Sequence, residues 1–346
     1  MATGTEPGLP PVPGLAEARP LTNRTVFRMA QLPRRLPPPR SRPAAPPKRK
    51  PPPKHRLRLK KRRLPSPKHR PKPPLRPKPR PLKRPPRRRR TTDAAAAKRF
   101  AATVSYDGTD FVGSQVQPNG RTVQEELERA AERLFGAPTR VDLAGRTDSG
   151  VHARGQVAAF TAATRLEAAA IGRALNALLP EDVAVRAVRD VPPGFDPRRW
   201  ARRRRYRYTI ANGEARDPLA RRYAWHLEGD LDLPAMQHLA GALAGRRDFS
   251  AFAGKLEPGR SPVRTVFETT VNRSGDWLYI DIEADAFLPQ MVRRITAALV
   301  RVGRHAATEE EIVSLLHQAR PGSFIHVAPA RGLCLERVWY DEGYQP

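Results

Sequence analysis

The chain has 346 residues, with 64 Lys and Arg against 34 Asp and Glu, a formal net charge of +30. A single cysteine, Cys334, leaves no internal disulfide and suits a reducing cytoplasm. The eight histidines form no pair spaced four apart and no cluster with cysteine, and no stretch reaches the ~18 uninterrupted apolar residues of a membrane span, so neither a metal site nor a membrane segment is expected.

The charge divides the chain in two. Residues 1–97 hold 29 Lys and Arg, three acids (Glu6, Glu17, Asp93) and 25 of the 39 prolines, whereas residues 98–346 hold 35 bases against 31 acids. Proline removes backbone donors and like charges repel. Too little apolar surface is present to offset the ordering entropy, so residues 1–97 are expected to be a disordered basic Pro-rich tail, extended and rich in polyproline II. Two readings of it stay open at this level. One is a tail that adds non-specific RNA contacts through counterion release. The other is a stretch that is not translated, with a start codon other than Met shortly before residue 98.

The expected elements then follow in chain order. A strand is expected over 100–105, a turn at Tyr106-Asp107-Gly108-Thr109, and a helix from Val123 to a stop at Gly136, opened by the capping-box pattern Thr122-Val123-Gln124-Glu125. Short strands are expected over 140–143 and 156–161, an Ala/Leu helix over 166–179 ended by Pro180, and a strand over 183–191. A strand over 205–210 is followed by a helix over 233–243, strands over 266–272 and 277–283, helices over 287–302 and 309–317, and a closing strand over 333–340. This order argues an α+β fold of two packed α/β lobes with a largely antiparallel sheet, residues 98–200 forming one lobe and residues 201–346 the other.

One stretch carries chemistry. Gly145-Arg146-Thr147-Asp148-Ser149-Gly150-Val151-His152-Ala153 sets one carboxylate in a turn between two glycines, two residues after a permanent cation. A carboxylate beside a guanidinium suits a nucleophile or a base. Taken alone, such an Arg-x-Asp-x-Gly reads equally as a surface turn with an incidental ion pair. Ser149 and His152 read as turn-shaping groups and Cys334 as core. The four consecutive arginines Arg202 to Arg205 read as a phosphate-tracking surface. No P-loop and no dinucleotide fingerprint is present.

As a unit, the nonapeptide resembles the signature of the TruA-type tRNA pseudouridine synthases. Other anchors agree in order: Tyr106-Asp107-Gly108-Thr109 through Gly113 with Gln115 and Gln117, Thr122-Val123-Gln124, Asn176 to Pro180, Arg205-Tyr206-Arg207-Tyr208, Asp248-Phe249, Met291-Val292-Arg293 and Gly332-Leu333. With Leu335, Val338 and Tyr340 of the closing strand they run from Tyr106 to Tyr340 and leave the tail uncovered. The chain departs from the pattern at Ser114, where Trp is usual, at Asp196-Pro197 ahead of Arg198, at Pro289-Gln290, where His is common, and at Arg294, where Asn is common.

The resemblance implies a pseudouridine synthase fold and an RNA-modifying isomerase acting on uridines of the tRNA anticodon stem-loop (positions 38–40 of the tRNA). Its reaction breaks the bond from sugar to base nitrogen and rejoins the base through carbon, with no redox step and no group donor, so no cofactor is expected. By the same resemblance Asp148 is the catalytic residue, Arg293 its partner, Arg146 an RNA-binding or base-flipping residue and Tyr206 the ring on which a displaced base stacks. A homodimer is implied as well. The alternative from another class is a non-catalytic RNA-binding or remodelling protein that acts through the basic tail.

Overall fold

Period-two alternation dominates the second part of the chain, and the architecture follows from it. The structure, a computed structural model, describes residues 96–341; the disordered tail expected over 1–97 lies almost entirely outside the described residues. Among these, ten strands join one sheet: β1 Ala97–Tyr106, β2 Val141–Leu143, β3 His152–Ala163, β4 Val183–Val191, β5 Arg203–Ala211, β6 Trp225–His226, β7 Gly245–Asp248, β8 Val263–Ser274, β9 Trp277–Ala284 and β10 Leu333–Trp339. Five α-helices accompany them: α1 Val123–Phe135, α2 Ala168–Asn176, α3 Leu233–Ala242, α4 Met291–Gly303 and α5 Glu309–Gln318.

The main strand order is β4-β1-β3-β10-β5-β9-β8-β7, with β2 on β3 and β6 on β5. Pairing is antiparallel except where β10 meets β3 and where β6 meets β5. The α+β, largely antiparallel expectation therefore holds. The last strand joins the two halves of the sheet. β10 pairs with β5 from Leu333↔Tyr208 to Trp339↔Arg203, but with β3 only at Cys334↔His152 and Leu335↔Ala153. Gly155 lies at this narrow seam, and a Cβ there would run into the Glu336 carbonyl, so only glycine fits.

Burial along β5 shows how sequence sets face. Arg204, Tyr206, Tyr208 and Ile210 are buried, while Arg203, Arg205, Arg207 and Thr209 are not. The buried face packs against α4, whose Ile295, Ala298 and Leu299 are fully covered. Phe100, Phe195, Tyr208, Phe249, Phe252, Ile171 and Met236 fill the core, each contributing roughly 1.5–3 kcal/mol by burial. On the opposite face Arg203 and Arg205 both reach Glu283 at 3.0 Å, and Arg207 reaches Asp281 at 2.7 Å.

The structure shifts several expected ends. α4 begins at Met291 rather than 287, because Pro289 lacks a donor and Gln290 adopts φ 61, the left-handed region. α2 stops at Asn176, whose amide turns away to bridge Val185 N (2.7 Å) and Val185 O (2.8 Å) on β4. The box at the start of α1 is half formed: Thr122 Oγ1 accepts from Glu125 N, but the Glu125 carboxylate pairs with Arg129 instead. The complete reciprocal box is at α5, between Thr308 and Glu311. Neither β6 nor β7 was expected; Gly245-Arg246-Arg247-Asp248 has no apolar alternation to announce a strand.

Candidate active site

The nonapeptide runs from β2 into β3 and is held by a buried polar frame. Gln156, fully buried on β3, takes the Gly145 N–H (3.2 Å) on its Oε1 and gives its Nε2 to the Gly145 carbonyl (2.8 Å). Tyr106 and Thr147 share a hydrogen bond of 2.9 Å, and burial pushes the Tyr106 phenol up to about 12, so it stays a neutral hydroxyl at working pH. Gly113 and Asp148 form an antiparallel bridge. Ser149 Oγ and Gly150 N both donate to the Phe111 carbonyl, and Val151 N closes the turn on the Asp148 carbonyl at 3.1 Å.

Asp148 Oδ2 accepts from Arg293 Nη1 at 3.0 Å. The carboxylate side chain is 39% exposed and the guanidinium side chain 17%, so a substrate can reach the acid while its partner stays covered. Arg293, in the first turn of α4, is locked by its Nε, which donates to the Ala328 carbonyl at 2.8 Å. An ion pair between β2–β3 and α4 therefore forms at the floor of a cleft of about 910 Å³. Tyr206 lines the same cleft. Its ring is 6% exposed, stands edge-on to Phe287 at 5.1 Å between centroids, and belongs to the hydrophobic core as well. Burial raises its phenol pKa, so this group too is neutral. Arg146 is half-exposed at the rim, facing Glu257 at 3.5 Å. All four sequence-derived site residues thus border one cavity.

Several cleft residues escaped the sequence reading. Arg198, Arg204, Lys255, Arg260 and Arg264 line it together with Arg146. The Arg198 guanidinium is pushed below its ordinary range by burial and by Arg260, Arg146 and Arg204 crowding it, which marks a surplus of positive charge turned inward. Arg204 was within reach of sequence reasoning, since it lies two residues from Tyr206 on a strand and must share its face. Lys255, Glu257 and Arg260 sit in a loop with no periodic signal.

The run Arg202 to Arg205 is not the free phosphate-tracking surface its charge suggested. Arg202 pairs with Asp341, Arg203 and Arg205 pair with Glu283, and Arg204 is buried with its guanidinium donating to the carbonyls of Ala144, Arg198 and Asp285. Each charge met a partner that only the sheet brings near. His152 is buried, its Nδ1 accepting from Gly108 N–H at 3.1 Å and its Nε2 near the carbonyls of Arg222 and Arg331, so it links distant segments of the chain. Cys334 is half-buried on the charged face of the sheet. Among the described residues no group of three or more His, Cys, Asp and Glu could hold a metal ion, and no helix is long and apolar enough to cross a membrane.

Comparison with known proteins agrees with the geometry. The model of a family described as tRNA pseudouridine synthase matches residues 102–198 and 239–341. The tRNA pseudouridine synthase A of Geobacter sulfurreducens is 42% identical over 235 residues, which cover 68% of this chain and 96% of the relative. The proteins of the same name from Myxococcus xanthus (44% over 249 residues, covering 71% and 93%) and Moorella thermoacetica (43% over 240 residues, covering 69% and 98%) are similar to the same extent. The matched family segments contain Arg146, Asp148 and Arg293; Tyr206 falls in the interval between them.

Proposed function

The chain belongs to the tRNA pseudouridine synthase family, and from that premise we propose that Asp148 is the carboxylate on which its chemistry turns. The protein is an isomerase that converts uridine to pseudouridine in tRNA. The observation that carries the assignment of Asp148 is its reachable carboxylate paired with the covered Arg293 at 3.0 Å. A fixed cation beside a nucleophile or base holds it in one orientation and offsets the charge it carries once bound substrate shields the site from water.

The other roles follow from position. A stem uridine must leave its stack before any group can reach it, and Tyr206, on the cleft floor beside Phe287, is proposed as the ring that receives the displaced base. Arg146 enters the space the uridine vacates or holds its phosphate. The inward cations Arg198, Arg260 and Lys255 are proposed to track the flanking backbone. The substrate arm is the anticodon stem-loop, and residues 98–200 and 201–346 act as lobes that supply Asp148 and Arg293 respectively. A homodimer is proposed, seated on the half-exposed charged face where Arg203 lies over Phe267 and Arg205 over Trp339. Residues 1–97 add sequence-blind RNA contacts, and the enzyme works in the cytoplasm.

Mass-spectrometric mapping of pseudouridine in unmodified tRNA incubated with wild-type protein and with Asp148→Asn tests the reading. Anticodon-arm product that disappears in the variant while tRNA binding persists is expected. Full turnover by Asp148→Asn would falsify the assignment of Asp148.

A further inference from the structure

Ser114 is 0% exposed and touches the residue immediately before Asp148 twice. Its Oγ accepts from Thr147 N–H at 2.9 Å, and its own N–H donates to the Thr147 carbonyl at 3.1 Å. Those two bonds hold the two peptide planes on either side of the Thr147 Cα, one plane being the peptide that leads into Asp148. Fixing both planes fixes the only two soft dihedrals between them. Ser114 thereby joins the Gly113–Asp148 bridge and the Tyr106–Thr147 bond in fixing the backbone that leads into Asp148.

Ser114 is itself held from behind. Gln124 N, in the first turn of α1, donates to the Ser114 carbonyl at 2.9 Å, and Val123 N donates to the Gly113 carbonyl at 3.4 Å. These are helix-terminal donors with no partner inside the helix. Gly113, at φ 134, allows the close approach: a Cβ there would lie 3.2 Å from the Thr147 carbonyl. The load path runs from the α1 terminus through Ser114 to the turn that bears the carboxylate. Any residue but proline at 114 keeps the main-chain bond. Only a side chain with a strong acceptor keeps the other.

We propose that Ser114 is a positioning residue for catalysis, its hydroxyl orienting the Thr147–Asp148 segment so that the carboxylate meets Arg293 and the substrate in one geometry. The proposal rests on Asp148 being the reacting carboxylate. It predicts a defect in the chemical step and not in RNA binding, since Ser114 lies beneath the turn and out of reach of tRNA.

The test uses the full chain with Ser114→Ala, which removes the acceptor, and Ser114→Cys, which keeps nearly the same volume with a weak one. Single-turnover rate on unmodified tRNA transcript, tRNA Kd and thermal melting are measured for both, with Asp148→Asn alongside. The rate should fall ~10- to 100-fold in Ser114→Ala, as expected for a displaced catalytic group. It should fall less in Ser114→Cys, with Kd within about twofold of wild type in both, so that the loss lies in the chemical step. Wild-type rates in both Ser114 variants beside a dead Asp148→Asn would overturn the proposal. So would rate and affinity falling together in step with the folded fraction. An active Asp148→Asn would remove the premise itself, a result distinguishable from either.

Discussion

Arg146 and Arg260 both turn to Glu257 in the free protein, at 3.5 and 3.3 Å. Glu257 lines the cleft and pairs with both cations, so on the RNA-binding role proposed for them the substrate's phosphates compete with it. Exposed ion pairs of this kind are worth ~0.2–1 kcal/mol, so Glu257→Gln should lower KM for tRNA by about two- to fivefold with kcat unchanged. Initial-rate measurements at fixed salt check this, and an unchanged or raised KM would count against the competition. For Tyr206 the ring and not the hydroxyl is expected to matter, because burial keeps its phenol neutral. Its pKa is raised, so the protonated form present at neutral pH persists through the alkaline range, and Tyr206 should add no limb to the rate profile there. Tyr206→Phe should then retain activity within about tenfold, whereas Tyr206→Ala should lose at least a further ~10-fold through lost stacking.

At the scale of elements, the start of α1 matters beyond its own stability. Thr122 is fully buried and its Oγ1 accepts from Glu125 N at 3.3 Å, so Thr122→Ala should cost about 1 kcal/mol, measurable by denaturant unfolding. The same turn supports the Ser114 segment, so the variant should also slow single-turnover catalysis; a stability loss with an unaltered rate would argue that the turn is held elsewhere. Element positions were legible where the pattern was strict. The strand expected over 183–191 coincides with β4, and the period-two run around Tyr206 became β5, because alternation is set by neighbours in sequence. It failed for β7 and for the start of α4. β7 is a strand only because β8 offers it partners from Val266 to Val263, and α4 starts late because of one left-handed residue. The first cause is not local to the pattern; the second is, and Pro289 was its signal in the sequence.

For the whole molecule, the uneven charge yields its own prediction. Removing residues 1–97 deletes 29 bases and three acids. The truncated protein should keep its single-turnover rate at saturating tRNA, while tRNA binding weakens and log Kd depends less steeply on log salt. Loss of turnover at saturating tRNA on truncation would show that the tail takes part in the chemical step. A full-length protein that binds RNA and forms no pseudouridine would instead return weight to a non-catalytic role centred on the tail. Against that role stand relatives named as synthases that match over 93–98% of their lengths without it.

The sequence by itself determined the two-part composition, the alternation that makes a largely antiparallel sheet, and the turn that bears Asp148 between its glycines. Each is written in residues adjacent or at fixed short spacing, where periodicity and turn chemistry act. The resemblance already implied Arg293, 145 residues away, as the partner of Asp148. Only the tertiary structure decided the 3.0 Å geometry of that pair, that Arg202 to Arg205 are spent on pairs and carbonyls, and that Ser114 lies under the turn. The ion pairs of Arg203 and Arg205 depend on the register of β5 against β9, and the meeting of Asp148 with Arg293 on how β10 joins β3 to β5. Turn geometry sets register within a hairpin such as β8–β9, but the pairing of strands far apart in the chain, such as β10 with β3, is a property of the whole sheet that no local stretch encodes.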